Sequence, residues 1–454
     1  MKIVFANPPV LRSELSTPEN DFCIGRHVYR SWYRRIPGLI KVLRLLGIGK
    51  GVRYGVRAGS RWPWTMDRPP GAPHYPFMMG YSASLLRSKG FEVDIFDAVG
   101  EENFSYNGFL EKLSDMNPDI VVLECSTPTI DIDLWISKKI SSFSRVALAG
   151  PHLAAVADEF YSKNSHISFF LKGEYILTSL KMAQTQVKGV YASEVVSDLD
   201  LLPYPYRDYK AALKYYDPSM VTPSPQLQIY ASKGCPFKCV FCMWPQTMYF
   251  GAVSYRKPEC VALEIRECIA KHKYKSIFFD DDTFNIGNER ISALCEELRK
   301  IGLPWTMMGR LDCSPDWLYD KMVECGCVGM RFGVESFDVE VLKKIKKGLL
   351  SEKILETLSH ITLKHPGLML HLTMMKDLPG QSEESHRRDI QILKDLGYSP
   401  ESKFRNYQLS SCAPFPGTEL HRELIDTGHA EMLSDFKKYD GGGDTVLSKM
   451  DKIP

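Results

Sequence analysis

The stretch that decides the fold is GCPFKCVFC, residues 234–242. Its thiols, Cys235, Cys239 and Cys242, have the spacing C-x3-C-x2-C, and soft thiolates this close in sequence are typical ligands of zinc or of an iron–sulfur cluster. Zinc normally takes four ligands from paired Cys-x-x-Cys or Cys/His sets, and the neighbouring sequence has no such second pair. A cubane cluster on three thiolates leaves one iron open for a substrate or cofactor. The spacing therefore favours a catalytic cluster, the alternative being three cysteines that share a loop by chance.

The composition predicts a globular protein with two main domains. The chain has 454 residues, 44% of them hydrophobic, which is enough for one large core or two ordinary ones. Its 57 basic and 55 acidic residues leave a net charge of +2, so no global basic field indicates nucleic-acid binding. Twelve cysteines, an N-terminus that opens directly into a strand, and the lack of a long apolar run predict a cytoplasmic protein.

The first half, residues 1–195, alternates strand and helix patterns. Short apolar runs predict strands at 2–7, 91–97, 119–124, 145–149 and 167–172, and helical patterns lie between them at 81–89, 104–116 and 134–142. This alternation predicts an open, doubly wound parallel α/β sheet that binds its ligand at the carboxyl ends of the strands. No G-x-G-x-x-G follows the first strand, which argues against a dinucleotide.

The strand ends of this half have small or polar residues that let a large cofactor approach the backbone. They are Asn7 and Pro8 after the first strand, Ser126, Thr127 and Thr129 after the third, Gly150 and His152 after the fourth, and Gly173 and Glu174 after the fifth.

A basic insertion separates the first strand from the first helix, at about residues 11–74. From Arg26 to Arg68 it has eleven Lys or Arg and one acidic residue, Asp67, which is an uneven charge distribution. Residues 32–46 have apolar positions at helical spacing, with 39–46 the regular part, and predict a short basic amphipathic helix. Two interpretations stay open: the apolar stripe packs on the protein, or the helix lies on an anionic membrane or on an anionic, partly apolar substrate.

The second half predicts a partial barrel. A proline-rich linker at 196–225 precedes strands at 226–232, 275–280, 305–311, 328–334, 368–375 and 404–411, with helices between them. About six βα units are the size of an open (β/α)6 partial barrel over residues 226–420, followed by a short extension at 421–454. Function is expected at the carboxyl ends of these strands, which have Asp280, Asp281 and Asp282, then Arg310, then Glu335 and Ser336.

The cysteine triad, with Phe241 just before the last cysteine, resembles the signature of radical S-adenosylmethionine (SAM) enzymes. The resemblance implies a [4Fe–4S] cluster on Cys235, Cys239 and Cys242 whose open iron chelates SAM and cleaves it to a 5′-deoxyadenosyl radical. It also implies an electron donor of the flavodoxin or ferredoxin type. Phe241 and the strand ends would bind SAM: Asp280, Asp281 and Asp282 at its amino group, Glu335 and Ser336 at its ribose and methionine groups.

Three of these assignments have alternatives. Arg310 either neutralises the methionine carboxylate or pairs with Asp312, and Asp282 or Ser336 at a turn is equally compatible with a helix N-cap. Asp377 replaces the family's glycine before the turn Leu378-Pro379-Gly380.

The order of motifs along the whole chain resembles cobalamin-dependent radical SAM enzymes, which implies that the first half is a cobalamin-binding domain. The cobalamin contacts implied are Asn7, Pro8, Ser126, Thr127, Thr129, Gly150, His152, Gly173 and Glu174. The chain departs from the usual pattern because it has no D-x-H-x-x-G, so no histidine is assigned as the lower ligand of cobalt. His152 is expected to be a loop residue or a contact to the corrin edge, the alternative being a ligand of cobalt.

The remaining cysteines argue against further clusters. Cys325-Gly326-Cys327 is too tightly spaced to hold an auxiliary cluster alone, and buried free cysteines are ordinary core residues. The first half has only Cys23 and Cys125, which disfavours a methylthiotransferase.

The leading functional prediction, which follows from the resemblance, is methylation of an unactivated carbon in a small-molecule or lipid-like substrate. Amino-acid side chains cannot supply such radical chemistry, so the cofactors must carry it. Two alternatives remain: a radical ring contraction or cyclisation with the same cofactors, and a cobalamin-binding module whose radical domain is degenerate.

Overall fold

The computed structural model of the chain describes residues 1–13, 38–39, 42, 52–55, 65–66, 74–98, 100–101, 106–439 and 445–450. The chain forms two compact units. The first consists mainly of residues 1–194 and Pro205–Ala212, and the second mainly of Val195–Tyr204 and Leu213–Tyr439. The predicted linker at 196–225 thus contributes residues to both units.

The first unit is built on a parallel sheet, as predicted, with six strands where the sequence predicted five. The elements described there are β1 (Lys2–Asn7), β2 (Val10–Ser13), β3 (Val52–Gly55), β4 (Thr65–Met66), α1 (Phe77–Ser88), β5 (Glu92–Asp97), α2 (Tyr106–Asp115), β6 (Ile120–Glu124), α3 (Ile130–Ile140), β7 (Arg145–Gly150), α4 (Pro151–Lys163), β8 (Phe169–Lys172), α5 (Ile176–Thr185) and β9 (Gly189–Tyr191). The main sheet has the order β5-β1-β6-β7-β8-β9, and every neighbouring pair is parallel. Its central strands are apolar throughout because both faces are covered.

Helices α4 and α5 and strand β9 of this unit were not predicted. The sequence after β7 was expected to be a loop, but Pro151 opens helix α4, a position where its fixed φ and missing N–H cost nothing. The short edge strand β9 was not predicted, because three residues give too little pattern to recognise.

The basic insertion is described only in part. Strands β2, β3 and β4 form a small antiparallel sheet. Of the predicted amphipathic helix, the structure gives a single helical hydrogen bond, from Val42 N to Gly38 O at 3.2 Å. The rest of residues 32–46 lies outside the described residues.

The second unit is built on another six-stranded parallel sheet, which confirms the predicted partial barrel type. The elements described there are β10 (Gln226–Ile229), β11 (Ser232–Lys233), α6 (Met243–Thr247), β12 (Ser254–Tyr255), α7 (Pro258–His272), β13 (Ser276–Phe279), α8 (Asn288–Ile301), β14 (Trp305–Gly309), α9 (Asp316–Glu324), β15 (Cys327–Glu335), α10 (Val339–Lys344), α11 (Ser351–Lys364), β16 (Met369–Lys376), α12 (Glu383–Asp395), β17 (Arg405–Ser411) and α13 (Glu419–Asp426). The sheet order β10-β13-β14-β15-β16-β17 follows the chain, as successive βα units require.

The cysteine loop is delivered differently from the prediction. The expected strand at 226–232 is two strands: β10 ends at Ile229 in the main sheet, and β11 turns away to pair antiparallel with β12. The loop at 234–242 therefore leaves a small hairpin at the carboxyl end of β10. Among the described residues, no helix combines the length and the hydropathy that crossing a bilayer requires.

Side chains alternate along the second sheet. One face packs against the helices in a large apolar core that includes Leu227, Phe279, Met307, Phe332 and Leu372. The opposite face, called the inner face below, has mostly polar side chains, among them Gln228, Thr306, Arg331, His371 and Gln408.

Candidate active site

The cysteine loop presents three free thiols between β11 and α6. Cys239 is buried, and Cys235 and Cys242 are half-buried. Burial raises the pKa of Cys235, and burial together with the neighbouring Cys239 and Cys235 raises the pKa of Cys242 well above its usual value. Adjacent thiolates in such surroundings need a positively charged partner, so this donor set fits an iron–sulfur cluster. In the described part of the chain, no three or more His, Cys, Asp or Glu side chains are placed so that they could together hold one metal ion.

A glycine sets the start of the loop. Gly234 has a φ of +86°, and a Cβ there would lie 2.1 Å from Ala252 O. Its N–H donates to Asp282 Oδ2 at 2.8 Å. Only glycine fits this backbone conformation and this close approach.

Gln246, which sequence reasoning missed, holds the other end of the loop. Its Nε2 donates to the carbonyl oxygens of Cys239, Val240 and Cys242 at 3.1, 3.3 and 2.9 Å, while its Oε1 accepts from Glu419 N at 2.8 Å. These bonds fix the backbone between the cysteines. A single glutamine after an apolar stretch gave no signal for this role.

The acidic run after β13 is partly structural. Asp281 Oδ1 accepts from Ser232 Oγ at 2.5 Å and its Oδ2 accepts from Ala231 N at 3.1 Å, so both oxygens hold the hairpin that precedes the cysteines. Asp282 binds Gly234, as described above. Asp280 is also buried, at the carboxyl end of the same strand. Asp282 is not a helix N-cap, because α8 begins only at Asn288.

Arg310 joins the sheet to the cysteine loop. Its guanidinium makes two hydrogen bonds with Asp312, of 3.0 and 2.8 Å, and its Nη2 also donates to Lys347 O at 2.9 Å. The Cζ atom lies 3.6 Å from the centroid of the Phe237 ring, a cation–π contact. Of the two predicted roles, pairing with Asp312 is the one seen in the structure.

Glu335 and Lys347 form a buried ion pair at the end of β15. Lys347 Nζ lies 3.1 Å from Glu335 Oε1, and each side chain is 7% exposed. Burial acts to lower the pKa of Lys347, but the charges of Glu335 and Cys239 outweigh it and the pKa rises. Lys347 follows the helix Val339–Lys344, and the sequence did not indicate that its side chain would be buried.

Ser336 binds a carboxylate on a neighbouring helix. Its Oγ donates to Asp389 Oδ2 at 2.7 Å, and Asp389 Oδ1 accepts from Phe337 N at 2.8 Å. The helix that follows, α10, is capped by Asp338 instead of Ser336. The N-cap alternative for Ser336 is therefore wrong, and Asp389 is a further site residue that the sequence did not indicate.

Phe241 and Asp377 have different surroundings. Phe241 is buried in the apolar core of the second unit. Asp377, in place of the family's glycine, has a φ of +60°, the left-handed region that glycine adopts most easily. Its carboxylate accepts from Ser448 Oγ at 2.5 Å.

The predicted cobalamin contacts of the first unit lie along the carboxyl edge of its sheet. Asn7 Nδ2 donates to Asp97 Oδ1 at 3.1 Å, and Asn7 Oδ1 is buried with no hydrogen-bond partner among the described residues. Pro8, which follows, is buried. Gly173 and Glu174, after β8, are also buried.

A turn after β6 holds the predicted hydroxyl contacts. Ser126, Thr127 and Thr129 are all buried there, and Ser126 Oγ lies 2.9 Å from Thr129 Oγ1. His152 Nδ1 lies 3.0 Å from Thr127 Oγ1, so the expected loop histidine is in fact on the first turn of α4, hydrogen-bonded to this turn.

Gly150 ends β7 with a φ of +112°, and a Cβ would lie 2.5 Å from Cys125 O. The nine predicted residues thus share one edge of the sheet. The orphaned amide oxygen of Asn7 fits a cofactor rich in amide N–H donors, such as a corrin.

Of the other cysteines that the structure describes, Cys260 and Cys313 are half-buried and the rest are buried. Cys325 and Cys327 belong to the apolar core of the second unit. Burial and the charge of Asp312 raise the pKa of Cys313 to about 12.

Comparison with known proteins agrees with the predicted class. Residues 229–391 match the model of the radical SAM superfamily. An uncharacterized methyltransferase of Pyrococcus horikoshii is 25% identical over 393 residues, covering 80% of this chain and 81% of its own. The anaerobic magnesium-protoporphyrin IX monomethyl ester cyclase of Rubrivivax gelatinosus is 22% identical over 416 residues, covering 85% of this chain and 70% of its own.

A solved structure has the same fold. The radical SAM methyltransferase TsrM of Kitasatospora setae, with cobalamin and a [4Fe–4S] cluster bound, aligns with a TM-score of 0.60 at 13% identity, covering 79% of this chain and 74% of its own. The same enzyme is known with tryptophan and a SAM analogue bound.

The comparisons agree with the predicted class. Residues 229–391 form a radical SAM domain, and most of the chain is similar to methyltransferases and to a cyclase. The fold of the chain is that of the cobalamin-dependent enzymes of this superfamily, with a cluster loop of the kind that serves [4Fe–4S] and SAM.

Proposed function

We propose that this enzyme uses a [4Fe–4S] cluster, SAM and cobalamin to methylate an unactivated carbon of a small-molecule or lipid-like substrate. The observation that most supports the proposal is the C-x3-C-x2-C loop, held at the carboxyl edge of one parallel sheet in a chain whose first unit is a doubly wound α/β sheet. When bound, the cluster and SAM supply an adenosyl radical and cobalamin supplies the methyl group.

The residues proposed for the cluster are Cys235, Cys239 and Cys242. Gln246 and Gly234 position them, because these two residues fix the backbone on either side of the thiols.

SAM binding is proposed for Phe241, Asp280, Asp281, Asp282, Arg310, Glu335 and Ser336. The carboxylates can accept from an ammonium or a ribose hydroxyl. The pairs already present, Arg310 with Asp312 and Lys347 with Glu335, keep these charges compensated before SAM binds.

The cobalamin site is proposed at the carboxyl edge of the first unit. Asn7, Pro8, Ser126, Thr127, Thr129, Gly150, His152, Gly173 and Glu174 would line it, and Asn7 Oδ1 would accept from a corrin amide. Support comes from the burial of the polar members of this set and from the cobalamin-bound neighbour.

A radical assay tests the proposal. The full chain, reconstituted with iron and sulfide under anaerobic conditions and reduced with dithionite, should release 5′-deoxyadenosine from SAM. Cys239→Ala should abolish this release, whereas Cys260→Ala, a half-buried cysteine on α7, should not. A Cys239→Ala protein that still forms 5′-deoxyadenosine would refute the cluster assignment.

Product mass separates methylation from the second candidate. A gain of one methylene unit supports methylation, and an unchanged or hydrogen-shifted mass supports a radical cyclisation. The cyclisation is retained because one relative is named a cyclase. No cleavage of SAM despite a full cluster would leave only a cobalamin-binding role.

The proposed partners are an electron donor of the flavodoxin or ferredoxin type and, through residues 32–46, a lipid surface. A reducing compartment such as the cytoplasm suits both the cluster and the many free cysteines. Co-sedimentation with anionic liposomes, with residues 32–46 deleted as control, tests the lipid contact. Equal partition of both forms would dismiss it.

A further inference from the structure

The inner face of the second sheet is polar although it lies inside the fold. In register, Arg331 of β15 pairs with His371 of β16, and His371 pairs with Asn406 of β17, so three polar side chains stand side by side. Arg331 is 7% and His371 5% exposed. Buried polar side chains of this kind are costly unless something hydrogen-bonds them.

Apolar side chains close the inner face on the side of the strand starts. Met220, Phe278 and Met369 form a separate buried cluster there, with Val328 packed against it. A Cβ at Gly329 would lie 2.6 Å from Met220 Sδ, which shows how tightly this end is filled.

Toward the strand ends the inner face opens. Gly333, Thr373 and Gln408, which lie beyond Arg331 and His371 along the strands, are half-buried, as is Met308 in register with Arg331. Residues that point to the helices, such as Leu372, are fully buried. Solvent therefore reaches the inner face from the carboxyl ends, and Arg331 and His371 lie at the floor of this space.

Three buried polar atoms at this floor have no hydrogen-bond partner among the described residues: Thr306 Oγ1, Arg331 Nε and His371 Nε2. The other contacts of Arg331 are long: its Nη1 forms an ion pair of 3.9 Å with the buried Asp217 Oδ1, and its Nη2 lies 3.5 Å from Gln408 Oε1. The guanidinium thus keeps its planar set of donors available for an oxyanion.

The hydrogen bonds of Asn406 identify the tautomer of His371. Asn406 Nδ2 donates to Ser219 O at 3.3 Å, so Oδ1 is the atom that faces His371 Nδ1. His371 Nδ1 then donates, and Nε2 is an acceptor. Burial and the charge of Arg331 lower the pKa of His371 to about 4, so the ring stays neutral near pH 7.

We propose that Arg331 and His371 form a recognition subsite for an oxyanion at one end of the substrate, with the oxyanion on Arg331 and an adjacent hydroxyl donating to His371 Nε2. This proposal rests on the proposed function and extends it by naming the substrate class. A phosphoryl group with one remaining proton, or a carboxylate beside a hydroxyl, has this combination. Arg331 lies four residues before Glu335, roughly 13 Å along the strand, so the substrate is elongated and reacts far from its anionic end.

Calorimetric titration of the purified full chain with small anions tests the subsite. Inorganic phosphate and glycolate offer an oxyanion with a hydroxyl, whereas sulfate and acetate offer an oxyanion without a donor near pH 7. We expect saturable binding of phosphate or glycolate, with each donor-free analogue at least tenfold weaker. The better of the two ligands identifies a phosphoryl or a carboxylate substrate.

Variants locate the binding. Arg331→Met should weaken it at least tenfold, Arg331→Lys should weaken it less, and His371→Phe should abolish the preference over the donor-free anion. Arg388→Met, at an exposed arginine of α12, should bind like the wild type. If Arg331→Met fails to fold because Asp217 is left buried, the double variant Asp217→Asn/Arg331→Met removes both charges and takes its place.

Equal affinity of wild type and Arg331 variants, or no saturable binding by the wild type, would overturn the subsite. The titration needs no cleavage of SAM, so its result is independent of the proposed function. Conversely, the wild type and Arg388→Met should both form 5′-deoxyadenosine without substrate. Loss of that activity in both proteins, with anion binding intact, would count against the proposed function alone.

Discussion

Lys347 Nζ lies 3.1 Å from Glu335 Oε1, and both side chains are buried, each with 7% of its surface exposed. The pair stands beside Cys239, whose charge also acts on Lys347. The ion pair therefore contributes to the stability of the second unit and also to the electrostatic surroundings of the cysteine loop.

Replacement of Lys347 by Met leaves Glu335 charged and buried without its partner. We expect the free energy of unfolding to fall by about 3–5 kcal/mol. Lys343→Met, at an exposed position of α10, should change it by less than about 0.5 kcal/mol. Urea denaturation of the cofactor-free protein measures both, and Glu335→Gln in the Lys347→Met background should restore much of the loss. Additive effects of the two substitutions would contradict the pairing.

Removal of the Gln246 amide should release the cysteine loop. Gln246→Leu loses three hydrogen bonds to loop carbonyls, which together contribute about 2 kcal/mol. We expect the iron bound per chain after reconstitution to fall to about half or less, by iron assay and visible absorption. Gln391→Leu is the control, because the Gln391 amide donates to Asp395 on the exposed side of α12. Full iron incorporation in Gln246→Leu would show that the amide does not position the thiols.

Alanine substitutions at Gly234 and Gly302 distinguish the cost of backbone strain from the cost of steric conflict. Both have positive φ, but a Cβ at Gly302 meets nothing within 4 Å, whereas one at Gly234 meets Ala252 O. Gly302→Ala should cost about 1–2 kcal/mol, and Gly234→Ala about 2–4 kcal/mol together with loss of cluster binding. Thermal unfolding and iron content are the measurements. Similar stability and similar iron content in the two variants would contradict the close approach.

Acid should weaken the second unit through Asp320. Burial opposes its charge, but hydrogen bonds from Lys364, His365 and His360 lower its pKa from 3.8 to about 2. A carboxyl group whose pKa is lower in the folded protein than in the unfolded chain stabilises the fold at pH values above its unfolded pKa. This stabilisation is lost as the pH falls through its folded pKa.

We therefore expect the free energy of unfolding of the wild type to exceed that of Asp320→Asn by about 1–2 kcal/mol at pH 5. This difference should shrink as the pH falls from 4 to about 2. Asp395→Asn, on α12, should show no such trend. Urea unfolding across this pH range is the measurement, and a constant difference for Asp320→Asn would disprove the assignment.

Both sheets could be predicted from sequence because their strands are short apolar runs bounded by Gly, Pro or Asp, in strict alternation with helical patterns. The strand at 226–232 was predicted too long, since the apolar pattern continues through Tyr230 and Ala231 although the chain leaves the sheet after Ile229. Helix α4 was missed because Gly150-Pro151 is typical of both a turn and a helix start.

The candidate site was predictable only where residue type and spacing together specify chemistry, as in the cysteine loop. Lys347 was missed because a lysine in the run 343–347 looks solvated, and only the fold shows that it turns inward. Arg331 and His371 gave no signal either, because a polar residue on a buried face is recognised only once the strands are seen in register.

The hydrogen bonds of Asp281 and Asp282 change how mutations of this acidic run should be interpreted. These carboxylates hold Ala231, Ser232 and Gly234, the backbone that leads into Cys235. An inactive Asp281→Ala enzyme would thus report first on whether the iron–sulfur centre assembled at all. A defect in SAM binding can be assigned to either aspartate only after the iron content of the variant has been shown to match that of the wild type.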